Sequence, residues 1–273
     1  MRKTERHIRD IGAKVTKSAS LEKGLLVLNL LDGTEQPLGI REIARRLSMA
    51  PAVTQRMVST LSEYNYVTQD PDSRKYKLGY RALSLGSNML SDDALVSSAM
   101  PELRRLADLR NLNCYLGVVQ RNSLVYVLAV QSSGPVAIRS APGTVSHFHS
   151  TAMGKALLAA TDEETARALL GSEPLAVLTS RTMTEIDAVL DDLGTVRRTG
   201  FATSIEENLP GIHGVGAVVR DASGKAVAGL SVAYSPQISP QQTIEAAARL
   251  VTEAADNVSR RLGCPLDRLI NAV

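Results

Sequence analysis

From residue 21 onward apolar residues recur at helical spacing, with Leu21, Leu25, Leu28 and Leu31 on one face. Ser20 is a fitting N-cap, Glu22 stands in the first turn, and Asp32-Gly33 ends the run. A second, shorter helix places Ile40, Ile43, Ala44 and Leu47 inward and Arg41, Arg45 and Arg46 outward. After the break Ser48-Met49-Ala50-Pro51, the proline suits the first turn of a third helix, where its missing N–H costs nothing. Val53, Met57, Leu61 and Tyr64 are the inward positions of that helix. Tyr66–Gln69 and Arg74–Leu78 then flank Asp70-Pro71-Asp72-Ser73, a hairpin with an Asp- and Pro-rich turn. Tyr76 and Leu78 face the helices, while Lys75 and Lys77 face outward.

Three helices and a hairpin in this order predict a winged helix-turn-helix over residues 20–80. The open face of the third helix carries Ala52, Gln55, Arg56 and Ser59, with Thr54 beside them. Short side chains let a helix enter the major groove, and Gln and Arg can pair bidentately with adenine and guanine edges. Arg41, Arg45, Arg74, Lys75 and Lys77 are placed to meet phosphates. Charge agrees: residues 1–90 hold 15 Lys and Arg against 9 Asp and Glu, whereas residues 91–273 hold 16 against 19. Residues 1–19 read as a flexible basic arm.

Beyond the hairpin, Leu83, Leu90, Leu95, Met100, Leu103 and Leu106 mark helical sequence interrupted near Ser91-Asp92-Asp93. Residues 81–98 are expected to form a linker helix and 99–273 a second domain. Cys114–Gln120 and Leu124–Gln131 read as a hairpin turning at Arg121-Asn122-Ser123, and Val136–Ser140 as a third strand. Helices follow at about 151–160, 162–170 and 184–199, strands at 201–205, 216–220 and 225–234, and a last helix at about 239–262. This α+β pattern is large enough to enclose a pocket.

The chemistry on offer is sparse. No nucleophile elbow, phosphate-cradling glycine loop or HExxH occurs, so neither an enzyme nor a cofactor is expected. The runner-up reading is an enzyme or redox sensor acting through Cys114; a thiol alternating with Tyr115 and Leu116 on a strand is more often core. The two cysteines, Cys114 and Cys264, follow no pairing pattern, and no signal peptide or membrane span is visible, so a cytoplasmic setting is expected. His147, His149 and His213 raise a metal site, with hydrogen-bonded or surface histidines favoured. Ser150 or Thr151 can cap a helix whose first amides, near Ala152 and Met153, favour an anion. Lys155, one turn in, reads as a surface residue, and Glu206-Glu207 as structural hydrogen bonders.

The stretches SLEKGLLVLNLL, IREIARRLSMAPAVTQRMVSTLSEYNYVTQD and KYKLGYRALSLG resemble the DNA-binding domain of IclR-family bacterial regulators. HSTAMGKALLA, TGFATSIEENLPGIHGVGAVV and GLSVAY resemble, in order and spacing, that family's GAF-like effector domain. Where the family often opens the recognition helix with Lys-Ser-Thr, this chain has Pro51-Ala52-Val53, so operator sequences do not transfer.

The resemblance implies a repressor that binds a double-stranded, pseudo-palindromic operator as a homodimer or dimer of dimers, with no membrane partner. It implies a small-molecule effector bound by the amides of Ala152 and Met153 and by groups at Ser204, Gly214, Ser231 and Ala233. Relatives that take small 2-oxo acids carry Asp, Cys and Ser where this chain has Ser204, Gly214 and Ala233. Smaller groups there predict a roomier, less polar pocket and a larger organic acid, aromatic or longer-chain.

Overall fold

The computed structural model describes residues 18–91, 93–132, 134, 138 and 140–265. Most of the basic arm, and three of the five positions of the strand expected at Val136–Ser140, lie outside the described residues. The chain divides into two compact units, one running to Met89 and the other from Leu90.

In the first unit α1 (Ala19–Asp32), α2 (Ile40–Arg46) and α3 (Pro51–Glu63) are followed by the hairpin β1 (Val67–Gln69) and β2 (Tyr76–Leu78). A small core of Val27, Leu31, Leu38, Ile43, Val58, Val67 and Tyr76 holds them together. Leu38 bridges to Tyr76, which ties the strand-like entry of α2 to the wing. Two expectations for α1 need correction. Its cap is Ser18, whose Oγ accepts from Leu21 N, and the buried stripe starts only at Val27. Leu21, Leu25 and Leu26 are exposed because the first two turns extend past the core. The wing turn is closed by Asp70, whose Oδ1 accepts from both the N–H and the hydroxyl of Ser73 at 2.8 Å.

Helix α4 (Tyr80–Ser91) leads to α5 (Ala94–Arg110), with Asp93 capping the latter. The range expected as one linker helix is therefore α4, a break and the first turn of α5. In the second unit, β3 (Asn113–Gln120) and β4 (Ser123–Val130) form the expected hairpin, and a short β5 (Val145–Ser146) follows. Helices α6 (Ala152–Ala159), α7 (Glu163–Leu170) and α8 (Ile186–Thr199) precede β6 (Ala202–Ile205), β7 (His213–Arg220) and β8 (Ala226–Tyr234). The last helix, α9 (Ile244–Arg261), starts later than expected because Thr243 caps it, accepting from Ala246 N.

The strands form one antiparallel sheet in the order β5-β4-β3-β8-β7-β6. Strand alternation gives it two buried faces. Cys114, Leu116, Val215, Val219, Leu230 and Val232 pack with α5 and α9. Tyr115, Leu124 and Tyr126 face the other way, toward Met153 and Leu157 of α6 and Val189 and Leu193 of α8. Gly216 lets α6 approach closely: a Cβ there would lie 2.7 Å from Ala152 C and 2.8 Å from Met153 N. No described helix is long and apolar enough to cross a membrane.

Candidate nucleic-acid interface and ligand cavity

On α3, Thr54 and Val58 are fully buried, and Val53, Met57 and Leu61 flank them. Thr54 is thereby withdrawn from the open face, correcting its assignment to DNA. Its hydroxyl folds back onto the helix and donates to Ala50 O at 3.3 Å, which lets a polar residue occupy a core position. Tyr64, expected inward, is exposed at the C-cap. Ala52, Gln55, Arg56 and Ser59 all stand exposed on one face, where Gln55 Nε2 donates to Ser59 Oγ at 3.2 Å.

Beside that face, a cleft between α2, α3 and the wing is lined by Gly39, Arg41, Gln55, Gln69, Arg74 and Lys75. Four of the residues expected to bind DNA thus converge, and Lys77 is exposed on β2. Arg45 and Arg46 are also exposed but already paired: Glu42 accepts from Arg45 Nη2 at 2.7 Å and from Arg46 Nε at 2.6 Å. Those two bonds hold the Glu42 carboxyl at about 2. The arrangement is a basic surface around a helix whose free side chains are short or bidentate, which is what a major groove accepts.

In the second unit Thr151 caps α6, its hydroxyl accepting from Gly154 N at 3.1 Å and donating to His147 O at 2.6 Å. Ala152 and Met153 thus stand in the first turn, ahead of the first helical hydrogen bond. A cavity of about 60 Å³ opens there, and Ala152, Ser204, Gly214, Ser231 and Ala233 all line it. Met153 does not line it; its side chain turns to the sheet, where Gly229 leaves room for its Cγ. Only the Met153 main chain faces the start of the helix. Ser204 Oγ is already engaged, donating to Ser150 O at 2.6 Å.

The expected extra room is filled by residues that sequence reasoning passed over. Tyr115 and Tyr126 form part of the wall with ring centroids 5.3 Å apart, joined by Ile138, Leu209 and Ile212. Tyr115 Oη donates to Ile138 O at 2.6 Å, and Tyr126 Oη accepts from Ser146 Oγ at 3.2 Å. Burial raises both phenols above their ordinary range, so they remain neutral. Strand alternation carried a signal for Tyr115, because a residue next to buried Cys114 must face the opposite side of the sheet. Nothing local marks Asn208, which reaches the cavity from the loop between β6 and β7 and accepts at Oδ1 from Ser150 Oγ at 3.1 Å.

Lys155 is not a surface residue. It is 1 % exposed, and its Nζ lies 2.9 Å from Asp192 Oδ2 and 2.9 and 3.0 Å from the two oxygens of Glu207. The helix turns it into the α6–α8 interface, where two carboxylates repay the loss of water. Burial pushes the Glu207 carboxyl up, against the pull of Lys155. Cys114 is fully buried and pushed up to about 12 by burial, so its thiol is not a nucleophile. His147 and His149 meet edge to face with centroids 5.5 Å apart, and His149 Nε2 is 2.9 Å from Ala176 O. His213 instead packs on Tyr234, and no metal-binding group of three His, Cys, Asp or Glu forms among the described residues.

Residues 20–71 match the family model of the IclR helix-turn-helix domain, and residues 87–260 match that of the bacterial transcriptional regulator IclR C-terminal domain. The chain is 30 % identical over 261 residues to the HTH-type transcriptional regulator KdgR of Dickeya chrysanthemi, covering 95 % of this chain and 85 % of that one. A crystal structure of an IclR transcriptional regulator from Alicyclobacillus acidocaldarius superposes with a TM-score of 0.79 at 27 % identity, covering 91 % of this chain and all of that one. An IclR homolog from Microbacterium hydrocarbonoxydans, complexed with 4-hydroxybenzoate, shares the fold with a TM-score of 0.78 at 21 % identity, covering 89 % of this chain and 99 % of that one. The basic helix-turn-helix, the capped α6 cavity and these matches agree: the chain belongs to the IclR family of DNA-binding transcriptional regulators.

Proposed function

We propose that this regulator is a cytoplasmic, non-enzymatic repressor whose operator affinity is set by an organic acid, aromatic or longer-chain, held in the α6 cavity. The observation that carries this reading is the convergence of the first turn of α6 with Ser231 and two tyrosine rings around one cavity. A helix start whose first amides lack helical partners favours a carboxylate, and the paired rings and Leu209 and Ile212 favour a flat apolar body. The cavity has room for about four waters, fewer atoms than a benzoate contains. Admitting a ring therefore requires the wall formed by the β6–β7 loop to yield. On the DNA side Gln55 and Arg56 read base edges, while Arg41, Arg74, Lys75 and Lys77 meet phosphates.

Two copies are needed to read a pseudo-palindromic site, and the exposed apolar residues of the first unit supply surface for pairing. Leu21, Leu25 and Leu26 on α1 and Tyr80, Leu83, Leu85 and Met89 on α4 all face solvent in the single chain. Light scattering at micromolar concentration is expected to show a dimer or tetramer.

Calorimetry with benzoate, 4-hydroxybenzoate, glyoxylate and pyruvate tests the effector, followed by operator gel shifts at saturating acid. The aromatic acids are expected to bind more tightly and to weaken operator binding. Tight pyruvate binding with no response to either aromatic acid overturns the reading.

A further inference from the structure

We infer that Lys155 is a positioning residue of the ligand cavity, clamping through Glu207 the β6–β7 loop that forms the cavity's movable wall. The cavity's assignment to an effector is the reading given above; the clamp itself rests on geometry. Lys155 brings three N–H donors to three carboxylate oxygens, all within 3.0 Å, so the buried ammonium is fully satisfied. Its two partners come from different elements, Asp192 from α8 and Glu207 from the loop. One cation on α6 therefore joins three pieces of chain.

The loop is fastened just where it leaves β6. Glu207 Oε1 also accepts from Ile205 N at 3.2 Å. Thr179 Oγ1 donates to Glu206 O and Thr182 Oγ1 to Glu207 O, both at 2.7 Å. These bonds hold Glu206 in the left-handed region at φ +60°, a conformation that costs a non-glycine residue and persists only when its surroundings fix it. Two residues on, next to Glu207, stands Asn208. Its Oδ1 is taken by Ser150, one position before the cap of α6, and its Nδ2 has no partner among the described residues. Past it, the tip turns on a long bond from Ile212 N to Leu209 O at 3.3 Å, and Leu209 is 42 % exposed although it lines the cavity.

The consequence is a wall with a fixed root and a yielding tip. Lys155 and Ser150 both lie on or beside the α6 turn that would receive a carboxylate. Through Glu207 and Asn208 they set the distance between that turn and the opposite wall. Loss of the clamp leaves the root on the Thr179 and Thr182 bonds, shifts Asn208 and lets the loop open more readily.

Hydrogen exchange read by mass spectrometry on the full-length protein tests this without any ligand. Glu207→Gln weakens the clamp and Lys155→Met removes it; should Lys155→Met fail to fold, Glu207→Gln decides. At least tenfold faster exchange in residues 205–212, with α9 and β3 unchanged, is the expected result. Unchanged exchange in 205–212, or acceleration spread evenly over β3, β8 and α9, overturns the inference. Calorimetry with 4-hydroxybenzoate supplies a second arm. Glu207→Gln and Asn208→Ala are each expected to weaken binding about tenfold, and the double variant no further, because both act through the position of one side chain. Fully additive losses overturn the inference. If the unmodified protein binds none of the acids, the effector reading falls, while the exchange result still decides the clamp.

Discussion

The two units place their polar chemistry on opposite sides of their surfaces. In the DNA-reading unit a small apolar core supports Gln55, Arg56, Arg41 and Lys75, all exposed to solvent. In the sensing unit Ser204, Ser231, Lys155 and Glu207 are buried, and Ser204, Lys155 and Glu207 bond to partners distant in sequence. A surface that must meet a polyanion can be assembled by helix phase and charge alone. The cavity at the start of α6 is built from groups that several elements bring together, so its parts depend on packing. The first unit should therefore tolerate change in its functional residues and the second should not.

The largest expected effect is on packing in the sensing unit. Gly216→Val forces a Cβ against the main chain of Ala152 and Met153, and should destabilise the unit by about 3 kcal/mol, read from urea melts. A loss below about 0.5 kcal/mol would mean that the close approach of α6 to β7 is not fixed. Next, Arg56→Ala should cost about 1–3 kcal/mol of operator binding and relax specificity, with melting unchanged. Thr54→Val should leave operator affinity as it was, because its hydroxyl faces the helix interior. Gel-shift titration distinguishes the two, and equal losses would dissolve the contrast between the open and buried faces of α3.

Smaller effects sharpen the same contrast. Ser231→Ala should weaken the effector by about 1 kcal/mol in calorimetry, while operator affinity without effector stays unchanged. Lys75→Ala should weaken all DNA sequences alike and reduce the magnitude of the salt slope by about one. The least effect concerns His149. Burial lowers its pKa, and the neighbouring His147 and Lys155 add to that, against the bond to Ala176. Its folded value therefore lies below its unfolded value of 6.5, so its contribution is complete above that pH and is lost as pH falls through the folded value. Melting temperature should drop on acidification in that window, and His149→Gln should flatten the drop.

What the sequence disclosed follows the same division. The order of the elements in the winged helix and the start of α3 are readable because helical period, Pro51 and the Asp-rich wing turn are local signals. On α3 only Tyr64, expected inward, and Thr54, expected at the DNA face, depart from the expectation, because apolar character outweighs position in such a reading. Thr54 escapes that rule by bonding to its own helix. In the sensing unit the strands and the α6 cap are visible, and the motif likeness locates five of the fourteen described residues that line the cavity. The tyrosine wall, Asn208 and the burial of Lys155 were not visible, since each depends on which strand or loop arrives from elsewhere in the chain. A lysine one turn into a helix carries no local mark of the two carboxylates waiting for it.

Glu42 bears on how the protein finds its site. A carboxylate that occupies Arg45 and Arg46 in the free chain competes with every phosphate backbone, whatever the sequence, while Arg56 stands exposed on α3. Phosphate contacts act on every sequence, so Glu42 lowers the sequence-independent part of binding, for the operator and for its competing sites together. Glu42→Gln should therefore raise affinity for random DNA and for the operator by a similar factor, so that the variant lingers longer on every wrong site and discriminates no better.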